Sequence, residues 1–437
     1  MKPPMSVPLR LAWYGDDFTG SSDTLATLAE AGWRAVLFLA PPTAAQRERV
    51  GELDAIGVAG TARALAPDAM RAQIAPVADA FDALRPAVTH YKCCSTFDSA
   101  PGTGNLAVGV RALRRPRHAP VALVLGGQPS LGRLCLAGTL FASAGAGGPL
   151  HRIDRHPTMS VHPVTPMHEA DLRRHLQALG IDRVELLDVR RLDEDDDAAL
   201  DAAFAARIAS GPEALLVDVA RSAHLARIGH WLVVHAAQQP RLVLGASSVA
   251  QALVAAHGRG CLPTQAAVPA ASGPVFLLVG SLSPVSAAQC DVASAAYELQ
   301  PIDPVALAAS QATFEARVET CATALRAGRS VLARTAPAAT GGLPPLQVAE
   351  LCGRLLAAVL ARVPAVRRAG VAGGDTSGWA VQALQPWALR WAGTLAAGVP
   401  LLRLHAGEAR IEGLELMLKG GQMGPPDVFL RLRDGTA

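Results

Sequence analysis

The sequence predicts an α/β protein of two domains, each a mostly parallel sheet flanked by helices. Three observations predict it. Short apolar runs alternate with helical stretches through the first half of the chain, the pattern of βαβ units and a parallel sheet. From about Gly258 to Gly273 the chain becomes rich in Pro, Ala and Ser, as an inter-domain linker does. A second series of strand-like and helix-like segments then follows. The domains expected are 1–257 and 274–437, with 258–273 between them. A chain of 437 residues, half of them hydrophobic, has enough apolar material for two cores.

The elements follow in order. Leu9 to Tyr14 reads as a strand, and Ser22 to Ala31 as a helix closed by Gly32, a good helix stop. Strands are expected at Ala35–Leu39, Ala55–Ala59, Ala87–Tyr91, Val121–Leu125, Val184–Leu187 and Ala214–Val217. The acidic run LDEDDD from Leu192 suits a helix N-terminus. Beyond the linker, Val275 to Val279 is a strand and Pro284 to Leu299 a helix. Ser330 to Ala333 is a strand, Val348 to Arg362 an amphipathic helix, Arg368 to Ala372 a strand leading into a glycine turn, and Pro400 to Leu404 a late strand.

Composition excludes several functions. Of 40 Lys plus Arg only Lys2, Lys92 and Lys419 are lysines, and none follows a glycine. A P-loop needs a Gly-Lys-Ser/Thr step, so Walker-type nucleotide binding is ruled out. The net charge of +3 is spread along the chain, and RALRRPR at Arg111–Arg117 reads as a solvated helix end, so nucleic acid is not an expected partner. Seven cysteines, with only Cys93 and Cys94 adjacent, form neither a disulfide framework nor a CxxC metal pair, which fits a reducing cytoplasm. No signal peptide is visible. The charge-free stretch from Leu262 to Gln289 is broken by prolines, against a membrane span.

Four segments carry chemistry. Tyr14 to Asp23 (YGDDFTGSSD) puts Asp16 and Asp17 just past a strand, where open α/β sheets bind ligands. A carboxylate there can accept hydrogen bonds or a proton from a substrate hydroxyl, or else cap the following helix. His90 to Ser99 (HYKCCSTFDS) sets Lys92 beside Cys93, Cys94 and Ser95 at another strand end. His151 to His168, with His175, gathers five histidines. Their spacing lacks the helix-face pairs usual at zinc sites, so a polar loop lining an anionic substrate is preferred to a metal site. Last, GSLS at Gly280–Ser283, GGDTSG at Gly373–Gly378 and KGGQMG at Lys419–Gly424 are glycine or serine turns of the kind that expose backbone N–H groups to phosphate. Asp375 and Thr376 could orient Mg²⁺ or a hydroxyl. Lys419 either approaches a phosphate or caps a helix end.

Together these segments resemble the four-carbon acid sugar kinase family. DDFTGSSD is similar to its opening motif, and GVAGTARALAP to its substrate segment, which singles out Arg63. YKCCSTFDSAPGTGN and HPTMSVHPVTPMHEADL resemble the 3-oxo-tetronate kinase subgroup. GGDTSG and LKGGQMG resemble the nucleotide-binding turns. The resemblance implies an ATP- and Mg²⁺-dependent kinase with its active site in the inter-domain cleft, phosphorylating the 4-hydroxyl of 3-oxo-tetronate. Its implied sugar-acid residues are Asp17, Arg63, Lys92, Cys93, Cys94 and Ser95, with Asp16 or Asp17 as catalytic carboxylate. The implied nucleotide residues are Ser281, Ser283, Gly373, Gly374, Asp375, Thr376, Lys419, Gly420 and Gly421. A resident metal site is not expected, and a homodimer is the assembly kept open. The chain departs from the family where Lys-Ser-Gly-Asn-Phe-Gly is usual at the last turn, and at Val161, where an arginine is frequent. Threonate or erythronate kinase is the alternative within the family. A sugar-acid sensor and a histidine-loop metalloenzyme are the alternatives outside it.

Overall fold

A computed structural model of the protein describes residues 9–145, 147–162, 164–258, 267–335 and 342–436. The 259–266 portion of the expected linker lies outside the described residues. The chain divides into two compact units, Met1–Leu262 and Pro263–Ala437.

The first unit is built on eight parallel strands: β1 (Leu11–Gly15), β2 (Ala35–Phe38), β3 (Ala55–Ala59), β4 (Val88–Lys92), β5 (Ala122–Leu125), β9 (Val184–Leu187), β10 (Ala214–Val217) and β11 (Arg241–Gly245). A separate antiparallel sheet interrupts the series: β6 (Arg133–Leu136), β7 (Thr139–Ser143) and β8 (Leu150–Arg152). The order of the main sheet is β2-β3-β1-β4-β11-β5-β10-β9. Most of its strands are buried along their whole length, which is why they read in sequence as continuous apolar runs. β1 pairs with β3 on one side and β4 on the other. The chain runs from β1 to the β2 side and then crosses from β3 past β1 to β4, and ligands bind beyond the strand ends at such a switch point.

The second unit holds β12 (Val275–Val279), β13 (Glu298–Ile302), β14 (Val331–Thr335), β15 (Arg368–Ala372), β16 (Ala388–Ala396), β17 (Val399–His405) and β18 (Glu415–Lys419). The order is β13-β14-β12-β15-β18-β17-β16, parallel as far as β18 and antiparallel across β17 and β16. Its core gathers Leu277, Met417, Phe429 and Leu432 beneath the sheet.

Several elements differ from expectation for identifiable reasons. The first helix starts at Phe18, four residues early, because Asp17 caps it by accepting from Gly20 N. The helix from Pro284 ends at Ala293, and ELQPI beyond it is edge strand β13, whose half-exposed alternation and Pro301 hide it among polar residues. GGDTSG is not a free turn: Gly373 is the N-cap (φ 129°) of a helix over Gly374–Leu384. LDEDDD spans the end of one helix and Asp196, the N-cap of the next. Arg111 and Arg115 of RALRRPR pair with Glu213 and Asp79. No helix among the described residues is long and apolar enough to cross a membrane.

Candidate functional site

The carboxyl ends of β1, β3 and β4 bring charged side chains together in the first unit. β1 delivers Asp16 and Asp17, the 3₁₀ turn after β3 delivers Arg63, and β4 ends on Lys92. Backbone hydrogen bonds hold the three segments in register: Asp16 N donates to Lys92 O at 3.0 Å, and Arg63 N to Asp16 O at 3.2 Å. Arg63 Nη2 donates to Asp16 Oδ1 at 2.8 Å and lies 3.0 Å from Asp17 Oδ1, while Nη1 donates to Asp17 Oδ2 at 3.1 Å. Lys92 Nζ stands 3.6 Å from Asp17 Oδ1. Gly20 makes the last contact feasible, since a Cβ there would fall 1.6 Å from Lys92 Nζ and 2.5 Å from Asp17 Oδ1.

The two aspartates are not equivalent. The side chain of Asp16 is 2% exposed and that of Asp17 is 27% exposed. Burial pushes the Asp16 pKa up, more than Arg63 pulls it down, and the Asp17 charge adds to the rise. Burial opposes ionisation of Asp17 too, but Arg63 and Lys92 outweigh it and hold Asp17 below the ordinary carboxylate range. Lys92 is desolvated, yet Asp17 and Asp16 keep its pKa raised and its ammonium charged. Asp17 is therefore an ionised carboxylate with one side open to solvent, and Asp16 is its buried support.

Asp98 joins this cluster. Thr96 Oγ1 donates to Asp98 Oδ1 and Thr165 Oγ1 to Asp98 Oδ2, the second at 3.4 Å. Burial disfavours its charge, and Arg63 and the Thr96 hydrogen bond more than compensate. Thr165 lies on the histidine loop, so this contact brings the loop to the site. Three of the five histidines are spent on structure. His156 Nδ1 accepts from Thr158 N and Met159 N, His162 Nδ1 accepts from Thr165 N, and His175 Nε2 lies 2.8 Å from Ser99 Oγ. Among the described residues no group of three His, Cys, Asp or Glu is disposed to hold a metal ion.

The second unit has its own cavity, about 350 Å³, lined by Gly280, Ser281, Gly373–Thr376 and Gly421 and by the aliphatic Leu282, Leu343, Pro345 and Val348. Gly280 N and Ser281 N both donate to Ala372 O at 3.0 Å, which seats the GSLS turn over the end of β15. Gly280 lets the Thr376 side chain in, since a Cβ there would lie 2.3 Å from Thr376 Oγ1. The helix Gly374–Leu384 points its N-terminal N–H groups at the cavity, and Gly374 and Asp375 are exposed there. Such an end binds phosphate. Gly421 is held in place by Ser283 Oγ (2.6 Å) and Ser286 Oγ (3.0 Å), both donating to its carbonyl.

Two expected site residues lie elsewhere. The Cys93 thiol is buried, and burial drives its pKa well up, so it is neither exposed to a ligand nor a thiolate. Cys94 and Ser95 remain partly exposed at the site edge. Lys419 does not reach towards the cavity. It closes β18 and is 0% exposed, and its ammonium turns inward to Gly420 O (2.9 Å), Ser286 Oγ (3.3 Å) and Gly421 O (3.4 Å). Alternation along the strand sends it into the core. Burial pushes its pKa down to about 8. Val161 is 72% exposed on its loop. The sequence reading passed over Gly20 and Asp98 although both lie inside the motifs it quoted; Gly20 resembled any helix-opening glycine.

The chain matches two family models, a sugar-binding N-terminal domain over residues 11–253 and a nucleotide-binding C-terminal domain over 276–429. It is 37% identical to a 3-oxo-isoapionate kinase of Paraburkholderia graminis, covering 98% of this chain and 94% of that one. It is 32% identical to a 3-oxo-tetronate kinase of Methylobacterium radiotolerans, covering 98% of this chain and all of the relative. A crystal structure described as a putative tRNA synthase from Salmonella typhimurium superimposes with a TM-score of 0.82 at 25% identity, over 97% of this chain and 98% of that one. A Haemophilus influenzae protein gives 0.76 at 23%, over 96% and 98%, a likeness of fold. With the sugar-binding and nucleotide-binding models each matching one unit, the chain belongs to the four-carbon acid sugar kinase family and is a phosphotransferase acting on an alcohol group.

Proposed function

We propose that this kinase transfers the γ-phosphate of Mg·ATP to the terminal hydroxyl of a 3-oxo sugar acid. Both relatives above are named for 3-oxo acids, and the identity is higher to the 3-oxo-isoapionate kinase than to the 3-oxo-tetronate kinase (37% against 32%). 3-Oxo-isoapionate is therefore the first substrate to test and 3-oxo-tetronate, with its 4-phosphate as product, the second. Threonate and erythronate follow.

The observation that carries the reading is Asp17: ionised, partly open, and pinned by Arg63, Lys92 and Gly20 N. Its Oδ2 accepts from Arg63 and keeps a lone pair for a substrate hydroxyl. As the new O–P bond forms and the bond to ADP breaks, Asp17 takes the hydroxyl proton. Asp16, Arg63 and Lys92 fix its position and charge. Cys94 and Ser95 border the sugar acid.

Ser281, Gly373, Gly374 and Thr376 are the proposed phosphate contacts, through the GSLS turn and the helix N-terminus. Gly421 lines the same cavity beside Ser281, with Ser283 and Gly420 supporting it from behind, and the aliphatic lining suits the base. Mg²⁺ bound with the nucleotide would supply charge neutralisation of the triphosphate. The exposed Asp375 carboxylate in the helix's first turn is a hard oxygen donor of the kind magnesium takes, and magnesium commonly keeps water and phosphate ligands rather than an all-protein cage. The test is ADP release with each acid. Release that does not depend on any acid would overturn the reading.

A further inference from the structure

A cation is missing from the sugar-acid site as described so far. Among the described residues Asp16, Asp17 and Asp98 face Arg63 and Lys92, with His162 near Asp98, and Arg63 and Lys92 are both committed to the aspartates at 2.8–3.6 Å. Three carboxylates against two cations leave nothing positive to receive the carboxylate of a sugar acid, and a like charge there would be repelled.

Arg133 is the unspent charge. It opens β6, in the tight loop that leaves the carboxyl end of β5. Gln128 N donates to Arg133 O at 2.8 Å, and Arg133 N to Gln128 O at 3.2 Å. Gln128 Nε2 in turn donates to Asp23 Oδ2 of the helix that Asp17 caps, at 3.4 Å. The loop thus packs beside that helix, on the edge of the sheet where β1 and β4 end. Arg133 Nη1 donates to the carbonyls of Leu131 and Ser143. Its Nε is buried with no acceptor, and it makes no ion pair with any described residue. Cys94, at the edge of the same site, and His156, which shares the Ser143 carbonyl, are titratable described neighbours that bear on it, and burial without an opposing anion pushes the guanidinium's pKa down. A half-buried guanidinium whose buried Nε–H has no acceptor carries a desolvation cost that goes uncompensated until an anion arrives. A planar carboxylate matches its fork in two parallel hydrogen bonds.

We propose that Arg133 binds the carboxylate of the sugar acid, opposite the hydroxyl end that Asp17 receives. The assignment rests on the sugar-acid reading above, and it separates the two ends of the substrate: Arg133 selects for an acid, and Asp17 serves the reacting hydroxyl.

The test is calorimetric binding of 3-oxo-isoapionate, 3-oxo-tetronate, threonate, erythronate and neutral threitol to the wild type, Arg133→Met and Arg133→Lys. Loss of a charge-assisted pair should weaken the best acid roughly 10- to 100-fold in Arg133→Met. Arg133→Lys should recover part of that affinity, and the weak binding of threitol should not change. Mg·ATP binding retained in both variants checks that they fold. Equal acid affinity in Arg133→Met and wild type overturns the proposal. So does an equal loss for acid and threitol, which would mean a collapsed loop, or a wild type that binds none of the acids. ADP release by the wild type is measured separately. An acid that binds through Arg133 but is never phosphorylated removes the kinase substrate reading and leaves the Arg133 assignment standing.

Discussion

Replacing Gly20 with alanine sets two effects of opposite sign against each other. Gly20 lies in the first turn of an α-helix, where exchanging glycine for alanine normally stabilises by about 0.5–1 kcal/mol. The new Cβ, however, would lie 1.6 Å from Lys92 Nζ and 2.7 Å from its Cε. The ammonium has to retreat by about 2 Å to reach ordinary contact at roughly 3.5 Å. Lys92 is 4% exposed, so it cannot retreat into water, and the 3.6 Å pairing with Asp17 is lost. Breaking a buried pair costs about 3–5 kcal/mol, and the partial exposure of Asp17 reduces this to about 2–4. The net result is a destabilisation of about 1–3 kcal/mol. For a unit of this size that is a fall in Tm of roughly 3–9 °C. Catalysis should suffer further, because Asp17 loses one of the cations that keep it ionised and in place. The assays are thermal unfolding and the acid-dependent rate of ADP release. A Gly20→Ala protein with wild-type Tm and rate, or a higher Tm, would refute the notch argument and with it the role of Lys92 in holding Asp17.

Three further outcomes are expected. Asp17→Asn should lower kcat by about 10²- to 10⁴-fold while Mg·ATP binding measured by calorimetry is unchanged; near-normal turnover would remove Asp17 as the proton acceptor. Ser283→Ala removes both the helix N-cap and the hydroxyl on Gly421 O, so it should cost about 1–2 kcal/mol by urea unfolding and raise the KM for ATP while leaving the KM for the acid alone. Lys419 titrates near 8 when folded and near 10.5 when unfolded. Between those values the unfolded chain binds more protons, so the stability of the wild type relative to Lys419→Met should rise with pH, by at most about 1.4 kcal/mol per pH unit. A flat difference across that window would mean the ammonium is not buried as described.

The parts of the fold that were legible in sequence are those where one local signal dominates. Ala55–Ala59, Ala214–Val217 and Val275–Val279 are apolar throughout because they are covered on both faces, and their bounds coincide with expectation. Edge and antiparallel strands lack that signal. Glu298–Ile302 carries Glu, Gln and Pro because half of it faces water, and β18 pairs with β15 over a distance no local pattern reports. At the sugar-acid site, the residue types were visible, but which aspartate stays open depends on the geometry of Arg63, which reaches Asp16 from 47 positions away. For Lys419 the glycines after it leave a phosphate contact and a helix cap both open in sequence, whereas strand alternation decides where its side chain goes. Arg133 carried no local mark among 37 arginines; its Nε without an acceptor and its lack of an ion pair show only in the folded chain.

The most direct measurement is acid-dependent ADP release by the purified protein with Mg·ATP, run in parallel on 3-oxo-isoapionate, 3-oxo-tetronate, threonate and erythronate. The account predicts saturable release with a 3-oxo acid, a phosphorylated terminal hydroxyl in the product, and weaker or no release with the reduced acids. Release with threonate or erythronate alone, or none above the acid-free background with any of the four, would contradict it.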